Sequence, residues 1–188
     1  MKSESTLREF KPALRFVLIF VGIYLAGNII YGVYVEMYKP SPDPMTVWVS
    51  EQVAFVVSKV NGPATAVVSD REPIVLLKQA DPQPDGTTVL RVFEGCNGLN
   101  VMIVFASFII AFGGRIKSIL TFLLVGFFLL HIFNLLRIVL LYYTALYRPL
   151  FFYYFHKYFF TAVLYLAVFG LWIMWTRMKS KDSAAVQA

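Results

Sequence analysis

The side chains with the clearest chemical potential are a thiol, an arginine and a histidine in three different parts of the chain. Cys96 is the only cysteine, Arg137 lies within a long apolar segment, and His156 lies just before another. A thiolate can attack a peptide carbonyl and form a thioester, while a histidine donates a proton to the leaving amine and later accepts one. Arginine stays charged, so it can stabilise an oxyanion or lower the pKa of the thiol but cannot carry protons. These residue types predict cysteine-dependent peptide-bond chemistry.

Polar residues around the thiol and the arginine are candidates for supporting or substrate-binding roles. The cysteine lies in the block EGCNG, which is flanked by glycine, so that backbone can approach a ligand. Its members Glu94, Asn97 and Gly98 are therefore candidates. A helix that begins at the cysteine would also favour the thiolate. Asn134 lies one helical turn before the arginine and could hold its guanidinium or the substrate backbone.

Four apolar segments must position these side chains. They are Phe16–Val35, Asn97–Phe112, Ile119–Tyr143 and Tyr158–Trp175. Crossing the hydrocarbon core takes a helix of about 20 residues, with a usual range of about 17–25, so the second segment is short unless Gly95 and Cys96 join its first turn. Hydrophobic residues make up 59% of the chain and charged residues 15%, which leaves too little polar surface for a soluble globule. We expect an all-α integral membrane protein with four transmembrane helices, in a single domain over residues 1–188.

Basic residues near the ends of the apolar segments predict the orientation. They precede the first segment, occupy the turn 113–118 and follow the fourth segment: Lys2, Arg8, Lys11, Arg15, Arg115, Lys117, Arg177, Lys179 and Lys181. Because positive charge is retained on the cytoplasmic side, both termini are predicted to be cytoplasmic, with the first segment as an uncleaved anchor. Arg137 then lies about 27 Å above Ile119, at about 1.5 Å per residue. A loop is predicted over Leu146–Lys157 on the extracytoplasmic side, so that His156 opens the fourth helix there. Cys96, Arg137 and His156 thus reach one level, on the extracytoplasmic side of the cytoplasmic membrane.

The region Glu36–Phe93 is then a small extracytoplasmic α+β insertion between the first two membrane helices. A helix is predicted from Pro44, with Asp43 as its N-cap, to Asn61 and Gly62. Its apolar stripe contains Met45, Trp48, Val49, Val53, Val56, Val57 and Val60. Alternation predicts strands, separated by turns at 69–73 and 81–86, over Thr65–Val68, Ile74–Leu77 and Thr88–Phe93.

Composition argues against several other classes of protein. The formal charge of +6 does not indicate nucleic-acid binding, because the basic residues flank apolar segments instead of forming a separate patch with interleaved aromatics. A single cysteine excludes an internal disulfide and a CxxC redox pair. The two histidines and the cysteine lack metal-ligand spacing, so we expect no metal site and no cofactor. The second histidine, His131, is predicted to be hydrogen-bonded inside the helix bundle.

Three blocks resemble the exosortase/archaeosortase family: EGCNG at 94–98, NLLRI at 134–138, and His156. The resemblance covers about Phe93 to Trp175 and is to a short form, since many relatives are longer and have more membrane helices. It implies a polytopic membrane cysteine transpeptidase or protease. Cys96 matches the family's nucleophile, Arg137 its arginine, and His156 its third catalytic position. The implied substrate is an exported protein whose C-terminal sorting signal combines a short motif, a membrane helix and a basic tail.

The sequence therefore predicts a membrane thiol protease or transpeptidase, with a protein substrate and membrane lipids as partners. Two alternatives stay open. One is a non-enzymatic assembly or sensing subunit, in which Arg137 binds lipid phosphate and Cys96 is packing. The other is a membrane acyltransferase that uses Cys96 as an acyl carrier.

Overall fold

The fold is mostly helical, with one small antiparallel sheet. The structure is a computed structural model that describes residues 2–69, 71–79 and 86–187, with side chains described over 10–60, 62–69, 71–79 and 86–179. The helices are α1 (Lys2–Glu36), α2 (Pro44–Asn61), α3 (Leu99–Phe112), α4 (Ile116–Tyr147), the single turn α5 (Phe152–Tyr154) and α6 (Phe160–Gln187). The strands are β1 (Ala64–Val68), β2 (Ile74–Gln79) and β3 (Thr87–Phe93).

Within the residues that the structure describes, three helical stretches are long and apolar enough, by length and composition, to cross a membrane. They are Phe10–Glu36, Ile116–Tyr147 and Pro149–Lys179. This pattern supports a multi-pass membrane protein and matches three of the four predicted spans. The remaining span, predicted over Asn97–Phe112, is the 14-residue helix α3, which is shorter than the usual range of about 17–25 residues.

Helix α3 packs between α1 and the first half of α4. Phe105 is fully buried at this contact, and a Cβ atom added at Gly126 of α4 would lie 2.3 Å from its ring. The close approach of α3 to α4 therefore depends on glycine at that position. The core on this side contains Phe105, Ile109, Ile119, Phe122, Leu130, Val168, Leu171 and Trp175.

The insertion between α1 and α3 has the predicted α+β structure. The Asp43 carboxylate caps α2, because it accepts a hydrogen bond from the Thr46 backbone N–H at 3.0 Å. One side of the predicted apolar stripe is buried and its margins are exposed. The buried members are Val49, Val53 and Val57, and the exposed ones are Trp48, Val56 and Val60. The buried face of α2 is thus narrower than the predicted apolar stripe.

The three strands form an antiparallel sheet in the order β1-β2-β3. The predicted strands are confirmed within two residues at each end, whereas residues 70 and 81–85 of the predicted turns lie outside the described residues. Alternate residues of β2 and β3 are buried: Val75, Leu77, Leu90 and Val92. Leu77, Leu90 and Val92 share a core with α2 and the second half of α4, which includes Cys96, Ile138, Leu141, Tyr142 and Phe160.

The structure differs from the loop predicted over Leu146–Lys157. Helix α4 continues to Tyr147, and residues 149–159 form consecutive short turns that lead directly into α6. Pro149 explains the break, because the residue before a proline is driven out of helical geometry, and Arg148 has φ −141° and ψ 57°. His156 therefore lies in a π-helical turn, Phe155–Phe159, instead of at the end of an irregular loop.

Candidate active site

The turn that carries Cys96 joins the sheet to α3. Strand β3 ends at Phe93, and Glu94–Cys96 forms a single 3-10 turn before α3 begins at Leu99. Gly98 has φ 87°, a left-handed conformation that favours glycine. The expectation that Cys96 lies in the first turn of the membrane helix is therefore wrong. The helix starts later because the left-handed conformation of Gly98 interrupts the helical backbone. The thiol is therefore not at the N-terminus of α3.

Polar contacts from α1 and α2 hold this turn in place. Asn97 is 1% exposed, and its Nδ2 donates to the Tyr31 hydroxyl at 3.0 Å and to Thr46 Oγ1 at 3.3 Å. The Tyr31 hydroxyl in turn donates to the Glu94 carbonyl at 2.8 Å. The Thr46 hydroxyl donates to the Asp43 carboxylate. Because these groups are largely buried, their mutual hydrogen bonds fix the turn that presents the thiol.

A third helix, α4, holds the same turn through Asn134. Its Nδ2 donates to the Cys96 carbonyl at 2.9 Å, and its Oδ1 has no hydrogen-bond partner among the described residues. Asn134 therefore does not hold the Arg137 guanidinium, because Oδ1 is the atom of this amide that could accept from a guanidinium and it has no such partner in the described part of the chain. The alternative role, a bond to the substrate backbone, stays a prediction. A Cβ atom at Gly98 would lie 3.1 Å from the Asn134 side chain, so glycine also provides the space for this contact.

The thiol and the imidazole line one cavity. Cys96, which is 6% exposed, and His156, which is half-buried, border a cavity of about 130 Å³. The His156 ring stacks on Phe152, with the ring centroids 5.7 Å apart. The cavity is completed by Leu90, Arg91, Val92, Phe93, Ile138, Leu141 and Phe152. The structure thus brings together two of the three predicted catalytic residues around a space that a substrate group can enter.

Arg137 acts on this pair from a neighbouring position. It lines a second, largely apolar cavity of about 230 Å³ between α4 and α6. Its Nε is buried without a hydrogen-bond partner among the described residues. The charge of its guanidinium acts on both the Cys96 thiol and the His156 ring. The arginine is therefore within electrostatic reach of both groups but does not line the cavity that they share.

Burial is the largest influence on the thiol and raises the pKa of Cys96. The Arg137 charge and a backbone hydrogen bond from Phe93 both oppose this shift, and the Glu94 charge adds to it. The net pKa remains raised, so the resting thiol holds its proton more firmly than an exposed cysteine does. The sequence predicted a thiol poised as thiolate, and the burial of Cys96 reverses that expectation. Ionisation of this thiol would be helped by a nearby base, and His156 is the imidazole that lines the cavity.

His131 lies apart from this site. Its Nε2 is 2.9 Å from Gln52 Oε1, and its ring stacks on Trp48 at 4.8 Å between centroids. The prediction that it is hydrogen-bonded is confirmed, although its partner lies on α2 and not on another membrane helix.

Two residues that hold the turn were missed at the sequence level. Tyr31 and Thr46 are separated from Asn97 by 66 and 51 positions, and neither lies in a recognisable motif. A tyrosine near the end of a membrane helix is ordinary, because its ring suits the interface. Only the N-cap at Asp43 gave a local signal.

Comparison of the chain with protein-family models, curated proteins and solved structures finds no match. Within the described residues, no group of three or more histidine, cysteine, aspartate or glutamate side chains is arranged to hold a metal ion.

Proposed function

We propose that the chain is a membrane cysteine protease or transpeptidase that forms a thioester on Cys96. The observation that carries this proposal is the shared cavity of Cys96 and His156, with the Arg137 charge acting on both. A nucleophile and a base that line one cavity, beside a fixed positive charge, are the groups that thiol catalysis requires. The polar contacts that fix the Cys96 turn add support, because catalytic groups must be held rigidly.

In the reaction, one acyl group of the substrate would be transferred twice, first to Cys96 and then to water or an amine. His156 accepts the thiol proton, and the Cys96 thiolate attacks the substrate carbonyl carbon. The peptide C–N bond then breaks, and His156 returns the proton to the leaving amine, which leaves a thioester on Cys96. Water or an amine, deprotonated by His156, attacks the thioester and releases the thiol. Arg137 favours the negative sulfur and the developing oxyanion through its charge.

The proposed placement in the membrane follows from the basic clusters. We place four spans, with α3 as the shortest, both termini in the cytoplasm, and the Cys96 cavity at the extracytoplasmic face. A substrate anchored by its own C-terminal membrane helix would present the adjoining peptide at this level. An exported protein with such a sorting signal, as the resemblance to exosortases and archaeosortases implies, is therefore the proposed substrate.

The test is a comparison of protein C-termini in cells that carry wild-type protein or the Cys96→Ala variant. We expect at least one exported protein with a C-terminal membrane helix to keep its C-terminus only in the Cys96→Ala cells. Ser118→Ala, at a polar residue in the first turn of α4 that does not line the cavity, serves as the matched control and should process normally. Identical sets of C-termini in wild-type and Cys96→Ala cells at equal protein abundance would contradict the proposal.

One observation favours a second candidate function, a non-enzymatic membrane subunit. Cys96 belongs to the apolar core that joins the sheet to α4, and free cysteines often serve there as small apolar side chains. In that case Cys96→Ala would change neither C-terminal processing nor abundance, so the same experiment separates the two candidates.

A further inference from the structure

We propose that the free edge of β3 binds the substrate polypeptide as a fourth strand of the sheet and delivers its scissile carbonyl to Cys96. This inference rests on the proposed function, and it adds the binding surface and the extended conformation of the substrate. Strand β3 pairs with β2 on one side, and no strand pairs with its other side among the described residues. Such an edge offers a row of backbone groups to an extended peptide.

The pairing pattern shows which backbone groups of β3 point to that edge. The Ser69 N–H donates to the Ile74 carbonyl at 3.0 Å, so the backbone polar groups of Ile74 point towards β1. Successive residues of an antiparallel strand point their backbone polar groups to opposite sides. Those of Val75 therefore point towards Val92, its partner on β3. The flanking residues of β3, Arg91 and Phe93, must then direct their N–H and carbonyl groups away from β2.

A contact at the thiol agrees with this assignment. The Phe93 backbone lowers the pKa of the Cys96 thiol as a hydrogen-bonding group does, which agrees with a Phe93 N–H that faces away from β2. The next backbone groups on the same side belong to Arg91, two residues earlier. They form the first position on the edge at which a substrate strand could bond before it reaches the thiol.

The cavity runs along the same edge. Side chains of successive strand residues point to opposite faces of the sheet, and Leu90 and Val92 are buried while Arg91 and Phe93 are exposed. The cavity is nevertheless lined by all four of these residues, together with Cys96 and His156. A space that touches both faces of one strand lies along its edge. It therefore joins the unpaired backbone to the nucleophile and the base.

The chain direction brings an added strand to the reacting groups. Strand β3 continues directly into the turn Glu94–Cys96, and each strand residue advances by about 3.3 Å. A substrate bonded at Arg91 thus needs only a few extended residues to reach the thiol. The opposite wall contains Ile138, Leu141 and Phe152, so a small or apolar substrate side chain suits the position that faces it. The main-chain bonds would supply affinity, and this wall would supply selectivity.

Peptide electrophiles test the proposal on the intact protein, because Cys96 is the only cysteine. The probes are a trialanyl chloromethyl ketone, the same compound with N-methylated peptide nitrogens, and iodoacetamide as a small reagent without a peptide. Alkylation of the Cys96 peptide is followed by mass spectrometry in detergent or membranes. We expect N-methylation to slow alkylation at least about fivefold, because it removes backbone hydrogen bonds. Equal rates for the two trialanyl probes would overturn strand addition.

Two proline variants locate the peptide on the sheet. Arg91→Pro removes an N–H that the β2 ladder does not use, so an edge strand should tolerate it. Arg91→Ala also lacks the arginine side chain but keeps the N–H, so it should still react faster with the unmethylated probe than with the methylated one. Arg91→Pro should not show this difference in rate. Val68→Pro makes the same change at the outer edge of β1 and serves as the matched control. If Arg91→Pro and Arg91→Ala show the same preference for the unmethylated probe, the edge of β3 is not the binding surface.

Failure of this inference is distinguishable from failure of the proposed function. If the wild-type protein reacts equally fast with the methylated and unmethylated probes, strand addition is overturned, while the proposed Cys96-dependent processing still stands. Normal C-terminal processing by Cys96→Ala overturns the proposed function, whatever the rates with the peptide probes.

Discussion

Two opposing effects control the ionisation of the Cys96 thiol: burial raises its pKa, and the Arg137 charge together with the Phe93 backbone lowers it. The thiolate is the reactive form, so the same balance controls reactivity. Because the net shift of the pKa is upward, less of the resting thiol is ionised near neutral pH than in an exposed cysteine. In the proposed reaction, His156 would accept the thiol proton when substrate is bound.

Removal of the Arg137 charge should move the pH profile of thiol alkylation upward. In Arg137→Gln the positive charge that favours the thiolate is lost, so the pKa of Cys96 rises further above its ordinary value. At a pH near 7 the variant should react with iodoacetamide more slowly than wild type, and the two rates should converge at high pH, where both thiols are ionised. The measurement is the rate of Cys96 alkylation against pH.

Arg148→Gln is the matched control for this experiment, because Arg148 is exposed at the end of α4 and does not influence the pKa of Cys96. Its profile should overlay that of wild type. A profile of Arg137→Gln that also overlays wild type would mean that the guanidinium does not act on the thiol.

Residue types identified a candidate nucleophile and a candidate base, but not the contacts that position them. Cys96 and His156 were grouped with Arg137 because their segments reach one level, and these two residues line one cavity. Asn134 was expected to hold the guanidinium on its own helix or the substrate backbone, whereas its amide group donates to the Cys96 carbonyl 38 positions away. Contacts of this separation follow from how helices pack, and helix packing leaves no local pattern in the sequence.

At the scale of the elements, the turn 94–98 is the point where helices from three parts of the chain meet the end of the sheet. Tyr31 of α1, Thr46 of α2 and Asn134 of α4 all bond to it. Contact with one helix alone would leave residues 94–98 free to move, because the regular structure of this segment is limited to a single 3-10 turn. The site is therefore assembled only when the membrane helices and the insertion have packed together.

Gly98→Ala should weaken this assembly. An alanine at φ 87° is strained, and its Cβ would lie 3.1 Å from the Asn134 side chain. A non-glycine residue in the left-handed region costs about 1–3 kcal/mol, so we expect a lower free energy of unfolding in detergent and slower substrate processing. Thermal unfolding of the purified protein measures the first effect.

Gly170→Ala is the control for Gly98→Ala, because a Cβ atom at this α6 position meets nothing within 4 Å. It should leave stability unchanged or slightly raised, since alanine favours a helix by about 1 kcal/mol relative to glycine. Equal stability of Gly98→Ala and wild type would show that the turn does not need the left-handed glycine.

The regular elements were predicted where a local signal exists. The N-cap at Asp43, the proline that follows it and the alternation in the strands identified α2 and the sheet. The start of α3 was misplaced because the polar, glycine-flanked block at 94–98 does not show where the helix begins, and the left-handed conformation of Gly98 sets that boundary. The segment Leu146–Lys157 was predicted as a loop between two apolar segments, yet residues 149–159 form consecutive short helical turns after Pro149.

On the scale of the whole molecule, the packing is divided between two cores. One lies among α3, the first half of α4 and α6, and the other joins the second half of α4 to α2 and the sheet. The candidate site lies in the second core, where the sheet ends and the turns 149–159 begin. Apolar composition and basic clusters predicted the membrane helices, but the support that the insertion gives to the site could not be seen from composition.

Cysteine labelling tests the proposed orientation. In a Cys96→Ala background, we introduce Ser69→Cys in the insertion and Ser118→Cys at the start of α4. A membrane-impermeant maleimide should label the first variant in sealed cells and label the second only after the membrane is opened, because the basic residues beside Ser118 are retained in the cytoplasm. Labelling of the Ser118 position from outside would reverse the orientation and place the Cys96 cavity on the cytoplasmic face.

The most direct measurement of the central claim is the chemical identity of the new C-terminus of a processed substrate when hydroxylamine is present. A thioester on Cys96 is open to attack by this amine, so the acyl group that leaves the thiol should carry a hydroxamate in place of a carboxylate. We predict that mass spectrometry finds the hydroxamate with wild-type protein, in a proportion that rises with hydroxylamine concentration, and that Cys96→Ala gives no cleaved product. A carboxylate alone at every hydroxylamine concentration, together with cleavage by Cys96→Ala, would contradict the account.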